Sequence, residues 1–184
     1  EICLKNNVLI VADEIHHDLV FKHVNHYPLA SLSEELAQQT ITLVSPSKTF
    51  NIAGLSTAAA IIPNKKLMDA YNHVLGDFHL FISNVFGTVA FEAAYTFGND
   101  WLNQLMDYLW ENYIFVKDYL AKNMPQIKVI EPEGTYLLWL DFRSLNLDNN
   151  ALKELLIRKA NVGFNDGAIF GLTGDGFQRM NIAC

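Results

Sequence analysis

Three short apolar runs constrain this chain more than any other feature: residues 8–12 (VLIVA), 41–44 (ITLV) and 58–62 (AAAII). The first two are continuous rather than alternating, which is the pattern of strands in a parallel sheet buried on both faces. The third reads as another buried strand, stopped by Pro63. Strands and helices alternate through the first half, so the expected class is α/β. Ser31 and Glu34 form a capping box for a short helix to about Gln39. Residues 65–74 and 85–97 are expected to be helical. Gly98 and Asn99 punctuate, and Asp100 is placed to cap a long helix ended by Pro125. Its apolar residues Leu102, Leu105, Leu109, Tyr113, Val116 and Leu120 share one face. A short strand near Val129, a stronger strand over 135–142, a helix over 150–160, a Gly-rich loop over 163–176 and a strand-like RMNIA complete the reading. Glu1 enters in what reads as the last turns of a helix.

Asp13, in VADEIHHD, and Lys48, in SPSKTFN, lie just beyond the carboxyl ends of the first two strands. In open α/β sheets that edge is where ligands bind. An acid and an amine so placed point to pyridoxal 5'-phosphate chemistry. The cofactor's pyridine nitrogen must stay protonated to withdraw electrons, and an amine must bond its aldehyde. Asp13 serves the first need and Lys48 the second. The Lys48 amine must lose a proton to attack carbon, a state favoured by desolvation or nearby positive charge. Glu14 is the rival carboxylate, because side chains alternate at a strand end and only one of the two acids points to the site. The hydroxyls of Ser45 and Ser47 flank Lys48 closely enough to bond a phosphate.

Four segments in this order, DEIHHDLVF, SPSKTFNIAGL, EGTYLLWLDF and GFQRMNIAC, resemble the fold-type I pyridoxal phosphate enzymes, the class I/II aminotransferase superfamily. Within it they are most similar to the carbon-sulfur lyase branch, the cystathionine beta-lyases of the MalY/PatB type. The resemblance implies part of a large mixed-sheet α/β/α domain over residues 1–100 and a smaller α+β C-terminal domain over 101–184. It chooses Asp13 over Glu14 for the pyridine nitrogen, gives Lys48 both the cofactor aldehyde and the substrate Cα proton, and matches Ser45 to a phosphate ligand. His16 falls where many relatives carry a tyrosine on the cofactor's phenolic oxygen. Arg179, in GFQRMN, matches the arginine that grips the substrate α-carboxylate. An amino-acid substrate and a homodimer are implied. So is a fragment: the Gly-rich phosphate loop, the ring-stacking aromatic and a substrate-side asparagine are expected before residue 1, and a final helix after Cys184. Aminotransferase relatives often carry an arginine eight residues after the lysine, where this chain has Ser56.

The resemblance implies a β-lyase acting on cystathionine or cysteine conjugates. An aminotransferase using the same early steps is the first alternative, and a non-catalytic binding or regulatory piece the second. A net charge of -7 and the absence of a Lys/Arg-rich stripe exclude nucleic acid as the main partner. Two cysteines at opposite ends of the chain give no disulfide framework. No signal-peptide pattern opens the chain, and no apolar run reaches the roughly 18 residues needed to span a bilayer, so no membrane partner and a cytoplasmic location are expected. His16, His17, His23 and His26 lack zinc spacing, and no metal is expected. The Gly-rich run is no phosphate fingerprint, and Tyr136 and Trp139 read as core.

Overall fold

In the computed structural model, which describes residues 1–80 and 84–184, the three apolar runs pair into one sheet. β1 (Ile10–Asp13) runs parallel to β2 (Thr40–Val44), with Ile10 opposite Thr40 and Asp13 opposite Leu43. β3 (Ala59–Ile61) lies antiparallel to β2, Val44 opposite Ala59. The chain divides into two compact units, Glu1–Gln104 and Leu105–Cys184.

In the first unit α1 (Ile2–Lys5) precedes β1, and α2 (Glu34–Gln38) leads into β2. α3 (Pro46–Thr49) follows β2 at once, and α4 (Lys65–Asp77) and α5 (Val85–Phe97) come after β3. Side chains supply the caps that free helix N–H groups need: Asn64 for α4 and Asn84 for α5. The cap of α2 is Ser33, whose hydroxyl accepts from Leu36 N at 3.1 Å. The expected cap, Ser31, is instead consumed by a 3-10 turn, Leu29–Ser31, and its hydroxyl donates to Pro28 O.

Leu19, Phe21 and Ile62 are buried in this unit. The expectation of strands buried on both faces does not hold, however. β1 alternates between half-buried and exposed residues, with Val11 59% exposed, and Ile61 of β3 is 52% exposed. The Val11 side of β1 is thus left largely open. In the middle strand Thr40 and Thr42 are both buried. Thr40 Oγ1 donates to Leu36 O at 2.7 Å, whereas Thr42 Oγ1 has no hydrogen-bond partner among the described residues. A buried hydroxyl left unpaired costs roughly 1–3 kcal/mol. Thr42→Val, which removes it at similar volume, is therefore expected to raise the melting temperature, as a thermal unfolding scan will show.

α6 (Asn99–Asn123) starts immediately after Gly98, whose carbonyl accepts from Leu102 N at 2.9 Å. Gly98 thus opens the helix and Asp100 lies inside its first turn, where a carboxylate suits the helix dipole without capping it. A Cβ on Gly98 would strike the Phe50 ring and Ala94 O, which is why glycine stands there. Leu109, Tyr113 and Leu120 of the expected stripe are buried, Leu102, Leu105 and Val116 are half-buried, and Met106 joins them.

The second unit adds β4 (Lys128–Ile130), β5 (Leu137–Asp141), α7 (Asn149–Glu154), β6 (Asn165–Asp166) and β7 (Phe177–Asn181). The strands form an antiparallel sheet in the order β4-β5-β7-β6. Alternation along β5 sends Leu138 and Leu140 into the core, at 1% and 2% exposure. Tyr136 and Trp139, read as core, are only half-buried. Trp139 points to the other face, where it stacks on Phe177 at 5.4 Å and meets Phe170 edge-on. The expected helix over 150–160 is α7 followed by a single π turn, Leu155–Lys159. The Gly-rich stretch is more ordered than a loop: it holds β6 and two 3-10 turns, Gly167–Phe170 and Leu172–Gly174.

Candidate active site

Parallel pairing of β1 and β2 brings Asp13, the last residue of one strand, and α3, which leaves the other, to the same edge of the sheet. Both Asp13 and Lys48 are exposed there. His16 is half-buried and feels both of them. Burial and then the positive charge of Lys48 hold its imidazole below the ordinary histidine value, while the Asp13 carboxylate pulls the other way. His16 thus lies within the charge field of both Asp13 and Lys48.

The two neighbouring acids have separate duties. Among the described residues Asp13 Oδ1 accepts a local bond, from Ile15 N at 3.3 Å. Glu14 Oε1 accepts from Leu29 N at 2.9 Å, and its Oε2 meets His26 Nε2 at 3.2 Å, with the side chain 10% exposed. Glu14 is thus spent on holding the chain that follows.

Ser45 is buried and caps α3, its Oγ accepting from Ser47 N at 3.1 Å. The same oxygen lies 2.6 Å from Thr57 O and 2.7 Å from Ser47 Oγ. A carbonyl can only accept, so Ser45 donates its one proton to Thr57 and receives that of Ser47. Ser47 is half-buried and holds the hydroxyl more easily redirected to a ligand. Ser56 sits in the left-handed region, φ 46°, at the end of the 3-10 turn Ala53–Leu55.

A network that the sequence reading missed adjoins these residues. Asp18 Oδ2 accepts from Thr49 Oγ1 at 2.9 Å and from Tyr95 OH at 3.2 Å, and its Oδ1 meets His17 Nε2 at 3.0 Å. His17 Nδ1 is 2.7 Å from Glu14 O. With a carbonyl on one nitrogen and a carboxylate on the other, only the imidazolium satisfies both. The hydrogen bond to Asp18 raises the His17 pKa against the opposing effect of burial. Burial works against the Asp18 charge, but bonds from His17, Thr49 and Tyr95 outweigh it and keep the carboxyl below its ordinary range. Burial, then the Asp18 charge, pushes the Tyr95 phenol well up, so it remains a neutral donor.

Linkage gives this pair a pH window. The Asp18 contribution is complete above its ordinary value of 3.8 and is lost as pH falls through the lowered folded value. The His17 contribution is complete below its ordinary 6.5 and is lost as pH rises through the raised folded value. Thermal melts across pH are expected to show stability from this pair falling on both sides of that window. Asp18→Asn should flatten both flanks, and a variant curve parallel to the wild type would refute the assignment.

In the second unit Arg179 lies on β7, opposite Trp139 and Asn165. Its Nη2 and Nε donate to Asn165 Oδ1 at 3.1 and 3.4 Å, and its guanidinium lies 4.7 Å from the centre of the Phe170 ring. Both partners come from the Gly-rich stretch. There Gly167 and Gly174 approach so closely that a Cβ on either would collide with the other's backbone. Asn165 and Phe170 were not singled out from sequence, since a loop reading gives no face to its side chains. The neighbouring Arg143 is committed to Asp141 at 2.8 Å. Among the described residues no group of three or more His, Cys, Asp or Glu side chains converges as a metal site, and no helix is long and apolar enough to cross a membrane.

A model of the family described as aminotransferase class I and II matches residues 1–184. The chain belongs to the aminotransferase class I and II family. In sequence it is 38% identical over 184 residues to cystathionine beta-lyase PatB of Bacillus subtilis (strain 168), a match covering 100% of this chain and 48% of that protein. Its fold matches a PLP-bound crystal structure from Clostridium difficile 630 with TM-score 0.96 and 44% identity, over 100% of this chain and 47% of the other. It also matches cystalysin of Treponema denticola, whose structure contains a pyridoxal 5'-phosphate cofactor, with TM-score 0.95 and 38% identity, over 100% and 46% of the two chains. The chain therefore spans about half the length of the class I and II relatives it matches, and it has their fold-type I α/β architecture.

Proposed function

We propose that this chain is the C-terminal half of a pyridoxal 5'-phosphate-dependent carbon-sulfur β-lyase that releases a thiol, pyruvate and ammonia from cystathionine or a cysteine conjugate. One observation carries the reading: Asp13 and the turn α3 that bears Lys48 lie at the same carboxyl edge of the paired β1 and β2. The identity to PatB supports the lyase over other chemistries of the family. The donor set suits the cofactor. It offers a carboxylate for the ring nitrogen, an imidazole for the ring oxygen, an exposed amine for the aldehyde, and the Ser47 hydroxyl for the phosphate, with Ser45 able to join it only by giving up Thr57 O. On this reading residues 1–100 complete the large cofactor domain and 101–184 form the small one, within a homodimer. A cytoplasmic location accords with Cys3 and Cys184 both being free thiols.

When bound, the cofactor supplies a protonated ring that accepts the electron pair left at the substrate Cα. Asp13 keeps that ring nitrogen protonated. His16, whose imidazole is held below its ordinary value by burial, offers a hydrogen bond to the ring oxygen. The Lys48 amine removes the Cα proton. Arg179 binds the substrate α-carboxylate through its two-pronged guanidinium, steadied by Asn165 and Phe170. Losing a charged hydrogen bond costs about 1.5–3 kcal/mol. Arg179→Ala is thus expected to raise KM by about tenfold to a hundredfold with the bound cofactor's visible absorbance unchanged. An unaltered KM in steady-state assays would remove Arg179 from the site.

The alternative within the family is an aminotransferase, and Ser56 in place of the usual arginine speaks for the lyase. The deciding experiment incubates full-length protein with cystathionine, and separately with an amino acid plus 2-oxoglutarate, then assays pyruvate, free thiol and glutamate. Pyruvate with thiol supports elimination, and glutamate without thiol overturns it.

A further inference from the structure

α3, which carries Lys48, is a single helical turn of four residues. A helix this short has no stability of its own, so its placement must come from what holds its two ends. At the start, Ser45 caps it and bonds Thr57 O. At the finish stands Thr49, fully buried, directly after Lys48, with its hydroxyl on Asp18 Oδ2 at 2.9 Å. The Asp18 side chain is only 17% exposed and also takes Tyr95 OH from α5 at 3.2 Å. From Asp18 the bonding continues through His17 Nε2 at 3.0 Å and His17 Nδ1 to Glu14 O at 2.7 Å. Glu14 is the residue after Asp13. An unbroken path of short polar contacts thus joins the neighbour of Asp13 to the neighbour of Lys48, outside the covalent chain.

We propose that Asp18 is a positioning residue that fixes the Lys48 amine relative to Asp13 and His16 by tying Thr49 of α3 and Tyr95 of α5 to the turn after β1. The proposal rests on the assignment of Lys48 as the cofactor lysine. Asp18 touches neither cofactor nor substrate. Its role is to keep the turn after β1 and α3 in register, because an error of about 1 Å in the reacting atoms is enough to cost about a hundredfold in rate. A residue that merely stabilised the fold would lower the melting temperature without altering the reactivity of Lys48.

The test uses full-length holoenzyme and apoenzyme. Borohydride reduction of wild type with pyridoxal 5'-phosphate, followed by peptide mapping, first locates the cofactor lysine. Label elsewhere than Lys48 overturns the functional assignment and this proposal together. With Lys48 labelled, the variants are Asp18→Asn, Thr49→Val, Thr49→Ser and Asp18→Asn/Thr49→Val. The measurements are the rate at which apoenzyme develops its visible band on mixing with cofactor, kcat, KM and melting temperature. Expected for Thr49→Val and Asp18→Asn are band formation and kcat slowed by about tenfold to a hundredfold with KM little changed. The double variant should fall short of the product of the two single effects, because the two side chains share the Asp18–Thr49 bond. Thr49→Ser keeps the hydroxyl and should restore both rates. Should Asp18→Asn fail to fold, Thr49→Val, which deletes only the hydroxyl, decides the matter. Wild-type band formation and kcat in Thr49→Val, or equal defects in Thr49→Ser and Thr49→Val, would overturn the positioning role.

Discussion

Lys48→Ala in the full-length protein should reduce turnover by about ten-thousandfold or more while leaving the fold in place. General-base catalysis alone is worth about 10²–10⁴, and the same substitution removes the amine that bonds the cofactor aldehyde. The fold should survive because Lys48 is exposed and α3 is held by its neighbours, Ser45 and Thr49. Lys48→Arg should be no better than alanine, since a guanidinium stays protonated and cannot act as nucleophile or base. Single-turnover kinetics with cystathionine, alongside melting curves, check both variants. Turnover above about a hundredth of wild type in Lys48→Ala would take the lysine out of the chemistry, whereas a collapsed melting curve would show that it is structural.

Much of this arrangement was legible in the residues themselves, for identifiable reasons. Continuous apolar runs mark strands strongly, so β1, β2 and β3 were found within about two residues, as was α5. The environment of the strands was not readable. A run such as VLIVA states what a strand can bury, not what is present to cover it, and Val11 is left exposed. Local signals also compete: Ser31 satisfies the capping-box spacing, yet a 3-10 turn uses it and the helix starts after Ser33. The site divides in the same way. Asp13 and Lys48 could be proposed because strand ends are places of known chemical use. The bond from Asp18 to Thr49 joins residues 31 positions apart through side chains alone, and no periodicity reports such a pairing. Asn165 and Phe170 were hidden because β6 and two 3-10 turns of a Gly-rich stretch must fold before either has a direction.

Asp13→Asn is expected to cut kcat by about a thousandfold, the equivalent of roughly 4 kcal/mol at about 1.4 kcal/mol per decade. A carboxylate stabilises the protonated pyridine nitrogen by charge, whereas an amide offers only a neutral acceptor and leaves the ring a poorer electron sink. The local fold should be indifferent to the change. Asp13 is exposed, and the hydrogen bond it accepts from Ile15 N at 3.3 Å can equally be accepted by an amide oxygen. Glu14→Gln is the informative companion. That side chain is buried to 10% exposure between Leu29 N and His26, so its neutralisation should lower the melting temperature by weakening a charge-assisted bond and leave kcat within a few-fold of wild type. Kinetics and melts of the two variants side by side therefore separate a catalytic acid from a structural one. If Glu14→Gln stops turnover and Asp13→Asn does not, the two carboxylates have exchanged roles and the ring nitrogen lies on the other side of the strand end.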